Sequence, residues 1–273
     1  MKKKYRLTEK TKEWHGHTLH RIEALKDFGS VKKGDKGGRI ESENNLPHDG
    51  DCWVGGEAKV YDNAQVRDNA QVFWSALVYG NAQVYGNAVV RGNAVVRGNA
   101  VVSGDVEVHG CVVVCDKAQV SDHAIMFDHA VVCGDSEVCG NVWVFGNVEV
   151  CDNSIVRDYA WVCGDAVVRD HAVVCDYAQV CGHAVVCDYA QVCDHAVVCG
   201  DAVISKMGDY LVFKNFWSSG RHFTWTRSND MWKVGCFYGT GEELVKKAYE
   251  DDEKKGDFYK KIVEFVEWSK DRI

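Results

Sequence analysis

The chain has 273 residues, of which 46% are hydrophobic and 26% are charged, and its formal net charge is −8. This composition supports a packed core and argues against a disordered chain. No stretch of 18 apolar residues is present, so neither a membrane span nor a membrane partner is expected. The basic start, Met1 to Arg6, has no apolar run after it. We therefore expect a cytoplasmic protein without a targeting segment.

Residues 1–50 are expected to form a small N-terminal β cap. Residues 5–8 and 18–23 have the composition of strands, and Trp14-His-Gly-His is expected to be the turn between them. Residues 28–40, rich in Gly and Lys, resemble an imperfect copy of the repeat that follows. A stack of strands has an open end that invites pairing with other chains, so a terminal cap is needed.

Residues 51–205 contain a six-residue repeat that runs from 54 to 205 without an insertion. Its first position is Val from residue 60 to 204, except at Met126 and Ile204, its third is mostly Gly or Asp, and its fifth is Ala, Ser or Val. Val favours an extended backbone, whereas Gly and Asp tolerate the positive φ of a sharp corner. One unit cannot bury its Val alone, so the units must stack.

This Val-x-(Gly/Asp)-x-Ala-x pattern closely resembles the hexapeptide-repeat left-handed parallel β-helix family. The resemblance implies three hexads in each triangular coil and a left-handed path. At 18 residues per coil, the repeat region is expected to make about eight coils of a mainly β fold. The order of cap, repeat and aromatic tail also resembles uncharacterised hexapeptide-repeat proteins of bacteria and their phages. That second resemblance implies no known reaction and leaves a phage-related role open.

Charge divides along the same boundaries. Residues 51–205 carry seven basic and 20 acidic side chains, so this segment has a net charge of −13. A strongly acidic long axis argues against a groove for duplex nucleic acid.

Cysteine and histidine have regular places in the repeat. Ten of the 13 cysteines occupy the second hexad position, from Cys115 to Cys199. A linear column of thiols does not converge as a tetrahedral zinc site requires, so reduced, part-buried thiols and no metal are expected. Five histidines hold the fourth position: His123, His129, His171, His183 and His195. We expect them to be corner residues.

Two flat faces carry apolar surface that could bind a partner. The apolar strip consists of the outward residues Leu77, Val95, Val113, Val131, Val167, Val185 and Val203. An exposed apolar surface of this length favours self-association, as a dimer or a trimer. On another face, 18-residue spacing places Phe145 on Phe127 and Trp161 on Trp143. This aromatic patch is also a candidate oligomer contact.

Residues 206–273 are expected to form an aromatic β module followed by two helices. Residues 209–214, 222–227 and 231–235 alternate as strands do, with 228–230 as a turn. Thr240 and Glu243 have the spacing of a capping box, which predicts a helix to about Lys255. Gly256 and Asp257 are expected to end that helix and to cap the next.

The tail mixes aromatic rings with cations, which suits a nucleotide because rings stack on a base and Arg pairs with phosphate. The candidate ligand-binding residues are Trp217, Arg221, His222, Trp225, Arg227, Trp232 and Lys233. Strand alternation offers a second interpretation, in which half of the rings are the core of the module.

Three functions are compatible with these features. The first is a non-catalytic homo-oligomer that binds or sequesters a small anionic, nucleotide-like ligand without a cofactor. The second is an acyltransferase using acyl-CoA, an activity that the family resemblance implies; the uninterrupted repeat offers no loop to build its cleft. The third is a structural spacer or assembly protein. We expect the first, and no catalytic residue is assigned.

Overall fold

In the computed structural model, which describes residues 3–216, 221–270 and 272, the repeat forms a parallel β-solenoid. Each strand pairs in parallel with the strand 18 residues away, as Val90 does with Val72 on one side and Val108 on the other. The three hexads of a coil therefore contribute to three separate sheets. No helix among the described residues is both long and apolar enough to cross a membrane.

The three sheets are the flat faces of the solenoid. The first face contains Lys59–Val60, Leu77–Val78, Val95–Val96, Val113–Val114, Val131–Val132, Glu149–Val150, Val167–Val168, Val185–Val186 and Val203–Ile204. The second face contains Trp53–Val54, Gln71–Val72, Val89–Val90, Glu107–Val108, Ile125–Asp128, Trp143–Gly146, Trp161–Gly164, Gln179–Val180 and Val197–Val198. The third face contains Gln65–Val66, Gln83–Val84, Val101–Val102, Gln119–Val120, Glu137–Val138, Ile155–Val156, Val173–Val174 and Gln191–Val192.

The solenoid has about nine coils, because the second face contains nine strands, each from a different coil. The expectation of about eight coils is therefore too low. Dividing the length of the repeat by 18 ignores the partial coils at the two ends, which still add strands to two of the three faces.

The interior is filled by the first and fifth residues of each hexad. The Val and Ala side chains at these positions are 0% exposed along almost the whole repeat, for example Val90 and Ala88. Burying a valine stabilises the fold by about 1.5–3 kcal/mol, so a continuous column of them is the main source of stability.

The third hexad residue makes the corner with a positive φ. It is Asp or Gly at most corners, as in Asp122 (φ 62°) and Gly140 (φ 87°). The side chain of Asp122 also accepts a hydrogen bond from the backbone N–H of Gly140 in the next coil, at 2.9 Å. Asp at a corner therefore links neighbouring coils as well as tolerating the turn.

The N-terminal segment extends the first face. Tyr5–Trp14 and His17–Ala24 form an antiparallel hairpin, and His17–Ala24 pairs with Lys36–Ile40. Lys36–Ile40 in turn runs parallel to Lys59–Val60, so the hairpin covers the open strand edge of the first face. The register between Tyr5–Trp14 and His17–Ala24 shifts between Leu7 and Thr11, which marks a bulge.

The C-terminal segment is a four-stranded antiparallel sheet with two helices. The strands are Tyr210–Lys214, His222–Thr226, Met231–Val234 and Phe237–Gly239. Helix α1 is Gly241–Asp251 and helix α2 is Glu253–Ser269. The hydroxyl of Thr240 accepts from the N–H of Glu243, and the carboxylate of Glu243 accepts from the N–H of Thr240, as the capping box predicts.

The boundary between the helices differs from the sequence prediction. Helix α1 ends at Asp251, and the side chain of Asp252 caps α2 by accepting from the N–H of Lys255. Gly256 lies inside α2, where it is buried against the ring of Tyr249. Its role is close packing of the helices, so the prediction that it ends a helix is wrong.

Candidate functional site

The C-terminal module caps the last coils of the solenoid through side-chain hydroxyls. The N–H of Val197 donates to Thr224 Oγ1 at 2.9 Å, and the N–H of Val203 donates to Ser228 Oγ at 2.7 Å. Tyr210 donates its hydroxyl proton to the carbonyl of Gln191 at 2.9 Å. These backbone groups would otherwise need a further coil as their hydrogen-bond partner. The module supplies the partners and so covers this end of the stacked strands.

A column of rings on one corner continues into the module. Tyr177 stacks on Tyr159 with centroids 5.1 Å apart, and His195 stacks on Tyr177 at 5.0 Å. His222, from the C-terminal sheet, then stacks on His195 at 4.5 Å with an angle of 11° between the rings. The module therefore takes the place that the next coil would occupy in this column.

A junction pocket of about 240 Å³ lies beside this column, where the module meets the solenoid. Its lining residues are Tyr177, Gln179, His195, Val197, Arg221, His222, Lys233 and Gly235. Within the described part of the chain, neither Arg221 nor Lys233 forms an ion pair with a carboxylate. The pocket thus combines stacked rings with cations that lack a carboxylate partner in the described ranges.

Gly235 lets Arg221 lie across the pocket wall. Its φ is 60°, and a Cβ there would be 2.5 Å from Nη1 of Arg221. Any larger residue would displace the guanidinium or strain the backbone.

His222 lies in surroundings that disfavour its charged form. Burial lowers the pKa of this imidazole, and the neighbouring His195 and Lys214 lower it further, against an opposing effect of Asp194. Proximity to cationic groups disfavours the charged form of His222. An anion in the pocket would relieve this effect.

The structure brings together three of the seven predicted ligand residues: Arg221, His222 and Lys233. Trp225 and Trp232 are 0% exposed and belong to the module core, so neither ring is open to a ligand. Arg227 lies elsewhere and donates through Nε to the carbonyl of Gly208. Trp217 lies outside the described residues.

Two residues that line the pocket, His195 and Gly235, were not predicted as ligand residues. The candidates were aromatic and cationic residues of the tail, and neither residue belongs to that set. The module also interrupts the 18-residue spacing that would have aligned His195 with His222.

The apolar strip lies on the first face as one column. Leu77, Val95, Val113, Val131, Val167 and Val185 are half-buried by their neighbours in adjacent coils. Val203, at the end of the column, is 42% exposed. Glu149 interrupts the column between Val131 and Val167.

The aromatic patch lies on the second face. Phe127 and Phe145 stack with centroids 4.8 Å apart, and Trp143 and Trp161 stack at 5.5 Å. His109 extends the Phe column by stacking on Phe127 at 5.3 Å. The two Trp rings remain open, at 39% and 43% exposed.

A larger cleft of about 820 Å³ lies at the N-terminal hairpin, beside the bulge at Thr8 to Lys10. Its cations are largely neutralised by the protein itself. Glu23 pairs with Arg6 at 2.9 Å and Lys36 at 2.6 Å, and Glu57 pairs with Arg21 and Arg39. An anionic ligand would have to displace these carboxylates, so the smaller junction pocket is the better anion site.

Two corner histidines have acidic partners in the preceding coil. His123 Nδ1 is 3.3 Å from Asp105 Oδ2, and His183 Nδ1 is 3.5 Å from Asp165 Oδ2. The His123 and His183 side chains are 61% and 69% exposed, on open corners. An acid–base residue needs a substrate held against it. The two His–Asp pairs lie on exposed corners, where no pocket of the described residues would hold a substrate against them.

Among the residues that the structure describes, two groups of side chains have ligand atoms close enough to hold a metal ion. One is His17, Glu41 and Asp62, and the other is Cys175, Asp176 and Cys193; in each the ligand atoms lie within 4.8 Å of one another. In the first group the imidazole lies between the carboxylates, with Nδ1 3.0 Å from Glu41 and Nε2 3.3 Å from Asp62. Both ring nitrogens of His17 are therefore already in contact with carboxylates of the protein.

One pair in the cysteine columns has its sulfur atoms in direct contact. These are Cys181 and Cys199, neighbours on the second face with Cα atoms 4.8 Å apart. Adjacent coils bring in-register cysteines within the Cα range of a disulfide, and the reduced state of this pair stays a prediction. The other described cysteines are free.

The repeat matches a known family model. Residues 82–98 match the family model described as the YdcK beta solenoid repeat. No curated protein matches the chain. The matched segment covers about one coil of the parallel stack described above. Sequence match and architecture agree, and the chain is a β-solenoid repeat protein.

Proposed function

We propose that the protein binds a small anionic, nucleotide-like ligand in the junction pocket. The observation that carries this proposal is the placing of Arg221 and Lys233, without a carboxylate partner among the described residues, beside the stacked rings of His195 and His222. Guanidinium and ammonium groups pair with phosphate oxygens through charge-assisted hydrogen bonds. The faces of the Tyr177 ring are covered by Tyr159 and His195, and its exposed edge offers a contact for a base.

We also propose that the solenoid is left-handed and belongs to the hexapeptide-repeat class, as the sequence resemblance implies. The proposal also includes self-association into a dimer or a trimer through the apolar strip of the first face. The exposed Val203 and the half-buried valines before it support that contact. Neither catalysis nor a cofactor is part of the proposal.

The test is calorimetric titration with AMP, ADP, a dinucleotide, adenosine, inorganic phosphate and acyl-CoA. We expect binding of the phosphorylated compounds and weak or no binding of adenosine. Arg221→Ala and Lys233→Ala should each weaken binding by about 10- to 150-fold, since a hydrogen bond to a charged group contributes about 1.5–3 kcal/mol.

Lys206→Ala is the matched control, because Lys206 is an exposed cation near the junction that does not line the pocket. Its affinity should equal that of the wild type. Binding of acyl-CoA alone would favour the acyltransferase interpretation. Binding of none of the compounds, or equal binding by all three variants, would refute the proposal and favour a structural spacer.

A further inference from the structure

The cysteines of the repeat fall into stacked and solitary classes. Three columns contain neighbouring thiol positions in consecutive coils: Cys115, Cys133 and Cys151; Cys163, Cys181 and Cys199; and Cys175 with Cys193. Cys139 and Cys187 hold the same hexad position but have only Ser or Arg as column neighbours. The repeat thus contains paired thiols and matched single thiols on one scaffold.

The backbone holds Cys175 and Cys193 in register. The N–H of Cys175 donates to the carbonyl of Val192 at 3.0 Å, and the N–H of Tyr177 donates to that of Asp194 at 2.9 Å. The N–H of Cys193 donates to the hydroxyl of Tyr210, which fixes the last coil against the module. Both cysteines are free thiols, Cys175 being buried and Cys193 half-buried. The pair is therefore rigid, and one side of it faces solvent.

The two sulfurs lie close enough to share one metal ion. Cys175 and Cys193 hold the same position in adjacent coils, and their Sγ atoms lie within 4.8 Å of each other, which is within reach of one ion with metal–thiolate bonds of about 2.3 Å. A linear column cannot surround a tetrahedral ion such as Zn²⁺, which needs four converging ligands. Soft thiolates instead select Cu(I). We propose that Cys175 and Cys193 bind one Cu(I) ion between adjacent coils.

One cation lies beside the sulfur of Cys175 in such a complex. Each thiol loses its proton to solvent and one S–Cu bond forms at each sulfur, so two thiols and Cu⁺ give a bis-thiolate complex of charge −1 and two protons. Arg157 precedes Cys175 in the same column, where its guanidinium stabilises negative charge on that sulfur. Asp176 acts in the opposite direction, because its Oδ2 accepts a hydrogen bond from the Cys175 thiol at 3.6 Å and that bond is lost when the proton is released.

Proton release makes the binding dependent on pH. Two protons leave for each Cu(I) ion bound, so affinity should rise as pH increases.

The experiment is anaerobic competition for Cu(I) between the reduced protein and a chromogenic Cu(I) chelator. Wild type should retain one more Cu(I) per chain than Cys175→Ser/Cys193→Ser. Cys139→Ser/Cys187→Ser, which removes the same number of thiols from the same hexad position, should retain as much as wild type. X-ray absorption should detect two sulfur neighbours on the ion lost from the first variant.

Circular dichroism establishes that each variant is folded, and Cys193→Ala, at the half-buried position, provides a milder test of the same pair. It should also lose one Cu(I). Equal retention by wild type and the Cys175/Cys193 variants would overturn the proposal. If the Cys139/Cys187 variant lost the same amount of Cu(I), the proposal would be overturned as well. Binding would then depend on the number of thiols and not on the paired position of Cys175 and Cys193.

Discussion

His222 stacks on His195 with the ring centroids 4.5 Å apart and the planes 11° apart. One ring belongs to a corner of the solenoid and the other to the C-terminal sheet, so this contact joins the two parts of the chain. Two imidazolium groups at this distance would repel each other. The stack therefore favours the uncharged form of His222.

Replacing the solenoid partner should change the titration of His222. Burial makes the largest contribution to its lowered pKa, and His195 makes the next. His195→Gln should therefore raise the pKa of His222 part of the way towards its ordinary value of 6.5. An NMR titration of the His222 ring protons measures this. His123→Gln, at an exposed corner that makes no contact with the module, is the control and should leave the pKa unchanged.

Some of these relationships follow from the sequence and others do not. A fixed period of six residues predicts the stacked strands, the buried Val and Ala columns, and which residues share a face, because each depends only on spacing. The stacking of Trp143 on Trp161 is of this kind. The capping box at Thr240 is equally local.

The junction pocket depends on how a non-repeating module docks on the repeat, and no spacing encodes that. His222 and Arg221 could be named as candidates from composition, whereas His195 was assigned only to a corner. The burial of Trp225 and Trp232 was one of two interpretations of the same alternation. The position of Gly256 depends on the packing of α1 against α2, which the sequence alone does not show.

Anion binding in the junction pocket should depend on pH. The charged form of His222 attracts an anion, and its pKa in the free protein is lowered below 6.5. Affinity should therefore increase as pH falls through that lowered pKa, with uptake of a proton on binding. Titration with sulfate, whose own charge is constant in this range, measures the effect. His222→Ala should abolish the pH dependence, and an unchanged slope would show that another group titrates.

Gly235→Ala should weaken ligand binding by displacing Arg221. The new Cβ would be 2.5 Å from Nη1 of Arg221, and the left-handed backbone costs a non-glycine residue about 1–2 kcal/mol. Gly34→Ala is the control, since Gly34 also has a positive φ but no atom within 4 Å of a new Cβ. Both variants should lose similar stability in thermal unfolding, while only Gly235→Ala should lose affinity.

Asp209 should stabilise the link between the last coil and the module. Its carboxylate accepts from the N–H and hydroxyl of Ser205 and from the N–H of Lys206, at 2.8–3.0 Å. Asp209→Ala should reduce the free energy of unfolding by about 1.5–3 kcal/mol through these charge-assisted bonds. Urea unfolding followed by Trp fluorescence measures the change.

The same residue should give an acid-sensitive junction. Burial alone would raise the pKa of Asp209, but the hydrogen bonds from Ser205 and Lys206 offset it and lower the pKa below its ordinary 3.8. A carboxyl with a lowered pKa in the folded state contributes stability that is present above pH 3.8 and is lost as pH falls through the lowered value. Wild type should lose more stability over this range than Asp209→Ala. Parallel pH profiles would contradict the assignment.

Self-association should depend on the apolar strip and not on apolar residues of the repeat in general. Val131→Glu with Val167→Glu places two charges on the first face, where burial in an interface without a partner is costly. Light scattering should then give the monomer mass of 30.5 kDa in place of a dimer or trimer. The matched control is Val101→Glu with Val173→Glu, since these two residues hold the same hexad position, are also half-buried, and lie on the third face. The control should keep the mass of the wild type. A monomeric wild type, or loss of assembly in both variants, would remove the first face as the interface.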